Sequence, residues 1–113
     1  MLLDTPKKVL LAMAQVFSDY PALFTVKAFA RNSSGAEVPP SSNDATCFCA
    51  RGFLKRLHLE GAATKDDCKK AQHLMNDIGK EKYEGLILIE VNDYKGREAI
   101  IKLALDTAAK IKE

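Results

Sequence analysis

Apolar residues recur at intervals of three and four between residues 5 and 19, which is the spacing of an amphipathic helix. The apolar positions are Val9, Leu10, Met13, Val16 and Phe17. Thr5 is a suitable N-cap, and Pro6 fits the first helical position, where its missing N–H has no partner to lose. The residue before Pro21 is disfavoured in the α region, so we expect this helix to end near Asp19.

The next segment has the pattern of a β-hairpin. Leu23 to Arg31 alternates a wholly apolar face with a mixed one, which is typical of a strand. A turn at Asn32–Gly35 follows, and Ala36–Val38 is the predicted partner strand before Pro39-Pro40 ends the ladder. Because two strands alone are only marginally stable in water, we expect the hairpin to lie on the helices.

Two further helices are predicted in the middle of the chain. The first runs from about Ala45 to Leu59, with several N-cap residues before it, and is apolar over more than half its circumference. Gly52 lies inside it at a cost of about 1 kcal/mol relative to alanine, so we expect close packing against another backbone. The second begins at the capping box of Thr64 and closes at Gly79.

The run Leu86–Val91 has two interpretations. It is short and half β-branched, which favours a buried strand, but periodicity leaves one or two helical turns open. A turn at Asn92–Gly96 and a final helix from Arg97 to Lys112 follow. The whole pattern predicts one domain over residues 1–113. Its class is α+β, dominated by about four helices, with a short β-hairpin and one more strand if Leu86–Val91 is extended.

Composition places the chain among soluble globular domains, since 47% of its 113 residues are hydrophobic and 28% are charged. No apolar run approaches the length of a membrane span, and the N-terminus lacks the pattern of a secretory signal, so a cytoplasmic location is expected. The net charge is only +2, and nucleic acid is therefore not an expected partner. Arg51, Lys55 and Arg56 share one flank of a predicted helix, where a solvated face is favoured over a phosphate-contacting patch.

Three cysteines, Cys47, Cys49 and Cys68, are an odd number in a chain with no secretion signal, which indicates reduced thiols. Together with His58 and His73 they are five potential metal ligands. Their spacing is poor for zinc, because residues two apart in a helix point to different sides. We therefore expect no metal and no cofactor, and we interpret the thiols as core packing.

Three short motifs carry a resemblance to a known family. They are F-T-x-x-A-F-A-R-N-S-S-G from Phe24, A-T-C-F-C-A-R-G-F-L from Ala45, and N-D-Y-K-G-R from Asn92. In this order they resemble small uncharacterised proteins of actinobacteria and bacteriophages, which share a C-A-x-G helix motif and an N-D-x-x-G-R turn motif. Tryptophans found in that family are replaced here by Phe24 and Val91, so a ligand site built on them would be altered. The resemblance implies a phage or mobile-element setting and no particular reaction.

No catalytic motif is present, so we do not expect an enzyme. The leading hypothesis is a non-catalytic phage-type binding protein that inhibits a host defence factor by protein–protein contact in the host cytoplasm, and that forms a homodimer. The alternative is a protein that sequesters a small ligand such as a signalling nucleotide. Its candidate ligand-binding residues are Arg31, Arg51, Asn92, Asp93 and Arg97.

Two further interpretations stay open at this level. Asn92 and Asp93 follow an apolar run, and the simpler interpretation is that Asp93 caps the following segment while Asn92 satisfies loop backbone. A third function is an enzyme that depends on Cys49, since a thiol near a helix N-terminus can have a lowered pKa.

Overall fold

The computed structural model describes residues 3–112, and in this range helices dominate a very small sheet. The helices are α1 (Pro6–Asp19), α2 (Ala50–Leu59), α3 (Lys65–Lys82), α4 (Leu88–Lys95) and α5 (Arg97–Ala109). The strands are β1 (Ala30–Arg31) and β2 (Cys47–Phe48), which pair antiparallel. The predicted class, a helix-dominated α+β fold, is confirmed, with five helices where about four were expected.

Helices α1 and α5 form the longest helix–helix contact and run antiparallel. The ammonium of Lys7 lies 3.4 Å from the carbonyl of Ile111 at one end, and Arg97 donates to the carbonyl of Phe17 at 2.9 Å at the other. Between these ends, Met13, Phe17 and Leu103 are completely buried in one contiguous apolar core.

Helix α1 begins and ends as the sequence predicts. The Thr5 hydroxyl accepts the Lys8 N–H at 3.1 Å, Pro6 is the first helical residue, and Asp19 is the last. These signals are local to the helix, and tertiary packing reinforces them because the predicted apolar face is the buried one.

The strand predicted over Leu23–Arg31 is wrong for most of its length. A 3-10 turn occupies Pro21–Leu23 and the segment 25–29 is irregular, because Lys27 adopts a left-handed φ of 61° that an extended strand does not allow. Of the predicted strand, only Ala30–Arg31 forms a strand, which pairs with Cys47–Phe48, while Phe24 makes an isolated parallel bridge to Phe48. The predicted hairpin is reduced to a single antiparallel bridge between Arg31 and Glu37.

Helix α2 begins five residues later than predicted. Thr46 and Cys49 donate their backbone N–H groups to the carbonyls of Arg31 and Phe29, at 2.9 and 3.2 Å, so residues 45–49 are held extended. The N-cap is Cys49, whose sulfur accepts the Gly52 N–H at 3.3 Å. The Ser and Asn residues that the sequence offered as caps lie outside the helix.

The run Leu86–Val91 leads into α4, which begins at Leu88, so the favoured strand is wrong, and the turn predicted at Asn92–Gly96 is helical as far as Lys95. Two side chains satisfy the free backbone donors at the start of α4. Glu90 accepts the Ile87 N–H at 3.1 Å, and Asn76 of α3 accepts the Leu88 N–H at 2.7 Å. Helix α3 itself continues past the predicted stop at Gly79.

No helix in residues 3–112 is both long enough and apolar enough to cross a membrane.

The close packing expected at Gly52 is confirmed, because the carbonyl oxygen of Phe29 occupies the space that a side chain at Gly52 would need. We predict that Gly52→Ala lowers the free energy of unfolding by about 1–3 kcal/mol, despite the better helix propensity of alanine. Urea denaturation measures this. The matched control is Gly79→Ala, another buried helical glycine, where the nearest backbone atom to an added Cβ is 3.3 Å away. Equal stability of the two variants would contradict the prediction.

Candidate functional site

Asn92, one of the predicted site residues, is fully buried and joins three parts of the chain. Its side-chain oxygen accepts the Ala50 N–H at 2.9 Å, at the first residue of α2. Its amide nitrogen donates to the carbonyl of Thr25 at 3.1 Å and to the carboxylate of Asp93 at 3.1 Å. The amide thereby satisfies backbone groups that would otherwise be buried without partners.

Asp93 extends this network to the irregular segment that precedes β1. Its carboxylate accepts the backbone N–H of Lys27 at 2.8 Å, and Lys27 is the residue with the left-handed φ. A non-glycine residue persists in that conformation only where surrounding contacts fix it. Asn92 and Asp93 therefore fix residues 25–29, which we call the clamped loop, against the start of α2.

Arg31 holds the same loop from β1. Its guanidinium donates to the Thr25 hydroxyl at 3.2 Å, to the Val26 carbonyl at 3.2 Å and to the Gly35 carbonyl at 3.0 Å. The structure thus brings together Arg31, Asn92 and Asp93. Most of their hydrogen bonds are made to the protein's own backbone.

The other two predicted site residues lie apart from this network. Arg97 donates to the Phe17 carbonyl and, at 2.7 Å, to Glu98. Arg51 is exposed on α2, and its guanidinium carbon lies 5.3 Å from the ring centroid of Phe29 in the clamped loop. Of the five residues, Arg51 alone lines a cavity formed between α2 and α3.

This cavity, which we call the basic groove, has a volume of about 460 Å³ and lies between α2 and α3. The short connection between these helices brings α3 back alongside α2. Each helix contributes a single face at three- and four-residue spacing. The lining residues are Phe29, Pro40, Arg51, Leu54, Lys55, His58, Lys65, Cys68, Lys69, Gln72 and His73.

The charge of the basic groove is one-sided. Arg51, Lys55, Lys65 and Lys69 line it together with two histidines, and no carboxylate lines it in the part of the chain that is described. None of these four cations forms an ion pair within residues 3–112, whereas Lys8 and Lys82 do so with aspartates. A concave site with cations at its rim and an apolar floor concentrates positive potential and favours an anionic ligand.

Two thiols near the groove are held in their neutral form. Burial raises the pKa of the Cys49 thiol, and it also raises the pKa of Cys68 in the groove floor, where the charge of Asp67 adds to the effect. A protonated thiol is a weak nucleophile and a poor metal ligand. In residues 3–112 no three His, Cys, Asp or Glu side chains are grouped so that they could hold a metal ion.

A second cavity of about 430 Å³ lies between β2 and α2, and its charged groups are already partnered. Arg56 there donates to the Pro40 and Ser42 carbonyls at 2.9 and 2.7 Å and lies 3.3 Å from Glu60. This cavity therefore lacks the uncompensated charge that distinguishes the basic groove.

Apart from Arg51, the residues of the basic groove were not predicted as site residues, and among these Phe29, Lys65 and Lys69 matter most for the charge and shape of the groove. The basic positions recur as Arg51, Lys55 and His58 on one helix and as Lys65, Lys69 and His73 on the next. That spacing is visible in the sequence, but it indicates a shared groove only once α2 and α3 are known to lie side by side.

Comparison of the chain with known protein families, with curated proteins and with solved structures finds no match. The family resemblance drawn from the motifs therefore stays a prediction, and the function is argued from the residues of the site alone.

We predict that Asn92→Ala lowers the free energy of unfolding by about 2–4 kcal/mol, because it leaves the Ala50 N–H and the Thr25 carbonyl without partners. The exposed residue Asn43 provides the control, and Asn43→Ala should change stability by less than about 0.5 kcal/mol. Chemical denaturation measures both. Limited proteolysis adds a local readout, since cleavage within the clamped loop should accelerate only in Asn92→Ala. An unchanged cleavage rate there would show that Asn92 does not fix the loop.

We also predict that the free energy of unfolding falls as pH rises above the ordinary thiol pKa of 9.0. Because the folded-state pKa values of Cys49 and Cys68 are raised, the folded chain binds more protons than the unfolded chain in that range, and stability must decrease there. Denaturation at a series of pH values from 7 to 10 tests this. In Cys49→Ala the decrease should be smaller, and an identical slope in that variant would contradict the assignment to this thiol.

Proposed function

We propose that this protein is a non-catalytic binding protein that sequesters a small phosphate-bearing ligand in the basic groove. The observation that carries the proposal is that four cations line one cavity and that, within residues 3–112, none of them forms an ion pair and no carboxylate is among the lining residues. Lysine ammonium groups bind phosphate as point charges, and the arginine guanidinium can bind it through two parallel hydrogen bonds.

The size and the floor of the cavity support a small ligand. A volume of about 460 Å³ falls within the usual range of small-molecule sites, which combine an apolar lining with a few polar groups. Leu54 and Cys68 supply the buried apolar floor, and the cations stand at the rim where they can reach an anion. Sequestration of a small ligand, the alternative that the sequence offered, therefore has the stronger support.

Inhibition of a host defence factor by protein–protein contact, the leading hypothesis from the sequence, stays a prediction, and so does a homodimer. Tyr20 and Tyr94 are 61% and 71% exposed, and tyrosine is enriched at interfaces. Single exposed aromatic residues are nevertheless common on monomeric proteins, so they select no partner.

The test uses inorganic tripolyphosphate as a probe of the groove. We expect it to raise the melting temperature of the protein, because a ligand at 100 times its Kd stabilises the folded state by about 2.7 kcal/mol. For a chain of this size each kcal/mol corresponds to roughly 4–8 °C. Differential scanning fluorimetry and calorimetric titration measure the shift and the Kd.

A matched pair of variants separates the groove from general surface charge. Lys69→Glu reverses a charge that lines the groove, and we expect it to weaken tripolyphosphate binding at least tenfold. Lys70→Glu makes the same change at the neighbouring exposed position, which does not line the groove, and binding should be nearly unchanged. Equal losses in the two variants, or no stabilisation of the parent protein, would refute the proposal. Binding of an acidic protein but not of tripolyphosphate would instead favour the protein-partner hypothesis.

A further inference from the structure

We infer that the ligand of the basic groove carries an aromatic base beside its phosphate, so that it is a nucleotide, and that Phe29 is the surface on which the base stacks. This inference rests on the proposed function and specifies its ligand. It depends on how Phe29 is held and on what stands next to it.

Phe29 presents an exposed side chain from a fixed backbone. The residue is 40% exposed, and it lines the groove. Its carbonyl, in contrast, accepts the Cys49 N–H at 3.2 Å and lies directly against Gly52, where any larger residue would displace it. These backbone contacts hold the ring at the rim of the groove, where its exposed part is available for contact with a ligand.

The surrounding polar network serves to fix this loop. Arg31, Asn92 and Asp93 all direct hydrogen bonds at residues 25–27, and Lys27 is kept in a left-handed conformation. Such strained and heavily bonded segments concentrate at ligand clamps, where they hold a contact surface in place before the ligand arrives. The residue that this loop presents to the groove is Phe29.

The neighbours of the Phe29 ring include cations, so an aromatic surface for a base and positive charges for a phosphate lie in one cavity. Arg51 lies over the Phe29 ring, with its guanidinium carbon 5.3 Å from the centroid, which restricts the ring's orientation. Lys55 and Lys69 line the same cavity and are available for phosphate. Stacking on an aromatic residue is tolerant of base identity, and removing such a contact typically weakens binding by about 5- to 150-fold.

The experiment compares ADP with inorganic pyrophosphate by calorimetric titration of the full chain. Both carry a diphosphate, and only ADP carries a base. We expect ADP to bind at least tenfold more tightly to the parent protein. Phe29→Leu should weaken ADP binding much more than pyrophosphate binding and so remove most of that difference, and Phe29→Trp should retain it. Tyr94→Leu, a change at a highly exposed ring that does not line the groove, should alter neither Kd.

A further titration with an oligo-dT of eight nucleotides distinguishes a free nucleotide from a nucleotide within a single-stranded nucleic acid. Tighter binding of the oligonucleotide than of ADP, with a steeper salt dependence, would identify a single-stranded nucleic acid as the source. Tighter binding of ADP than of the oligonucleotide would identify a free nucleotide. Either result supports stacking if Phe29→Leu lowers the affinity for the ligand that binds more tightly.

The possible failures are distinguishable. Equal affinities for ADP and pyrophosphate in the parent protein overturn this inference and leave the proposed function intact. Absence of binding by both ligands overturns the proposed function, and this inference with it. If Phe29→Leu weakens ADP and pyrophosphate equally, the residue shapes the groove and is not a stacking surface.

Discussion

The hydrogen bonds of the buried Asn92 side chain are the interactions on which the packing of α2, α4 and the clamped loop depends. This side chain places one amide between the start of α2, the clamped loop and α4, which are far apart in the sequence. Each of these segments has backbone groups that its own secondary structure leaves free, and the amide supplies both a donor and an acceptor. Because burying a polar side chain is favourable only when its hydrogen bonds are made, the three segments must meet in one geometry. That geometry fixes the first residue of α2 against the clamped loop and α4.

Two contacts connect the Asn92 network to the basic groove. The loop that Asn92 and Asp93 fix continues into Phe29, whose carbonyl is packed against Gly52 of α2. The ring of Phe29 then lies beside Arg51 at the rim of the groove. Three of the residues predicted from the sequence as ligand contacts thus also position a neighbouring surface. Most hydrogen bonds of Arg31, Asn92 and Asp93 are made to backbone groups. The groove cations, in contrast, have no carboxylate partners in the described chain.

The parts of the fold that could be predicted are those decided by local chemistry. Helix α1 has its cap, its proline and its apolar stripe within one segment, and its bounds were predicted correctly. The start of α2 was missed because better capping residues precede it, and because the pairing of β1 with β2 holds residues 47–48 extended. Helix α4 was the less favoured interpretation of its segment, because periodicity does not distinguish a strand from a helix in a short apolar run and because the Asn76 side chain, which satisfies the Leu88 N–H, is contributed by another helix. The same limit applies to the groove, whose basic positions are regularly spaced on two helices but meet only through tertiary packing.

The electrostatics of the groove and the rigidity of the loop together suggest why binding can be favourable. Four positively charged side chains line one cavity, and charges of like sign repel each other. On the proposed function, a phosphate-bearing ligand would relieve this repulsion, and part of its binding free energy would come from that relief. On the same proposal, Phe29 and Arg51 would need little reordering on binding, because the hydrogen bonds of the clamped loop and the contact between the two side chains are already formed. A site prepared in this way loses less conformational entropy on binding than one that must be ordered by its ligand.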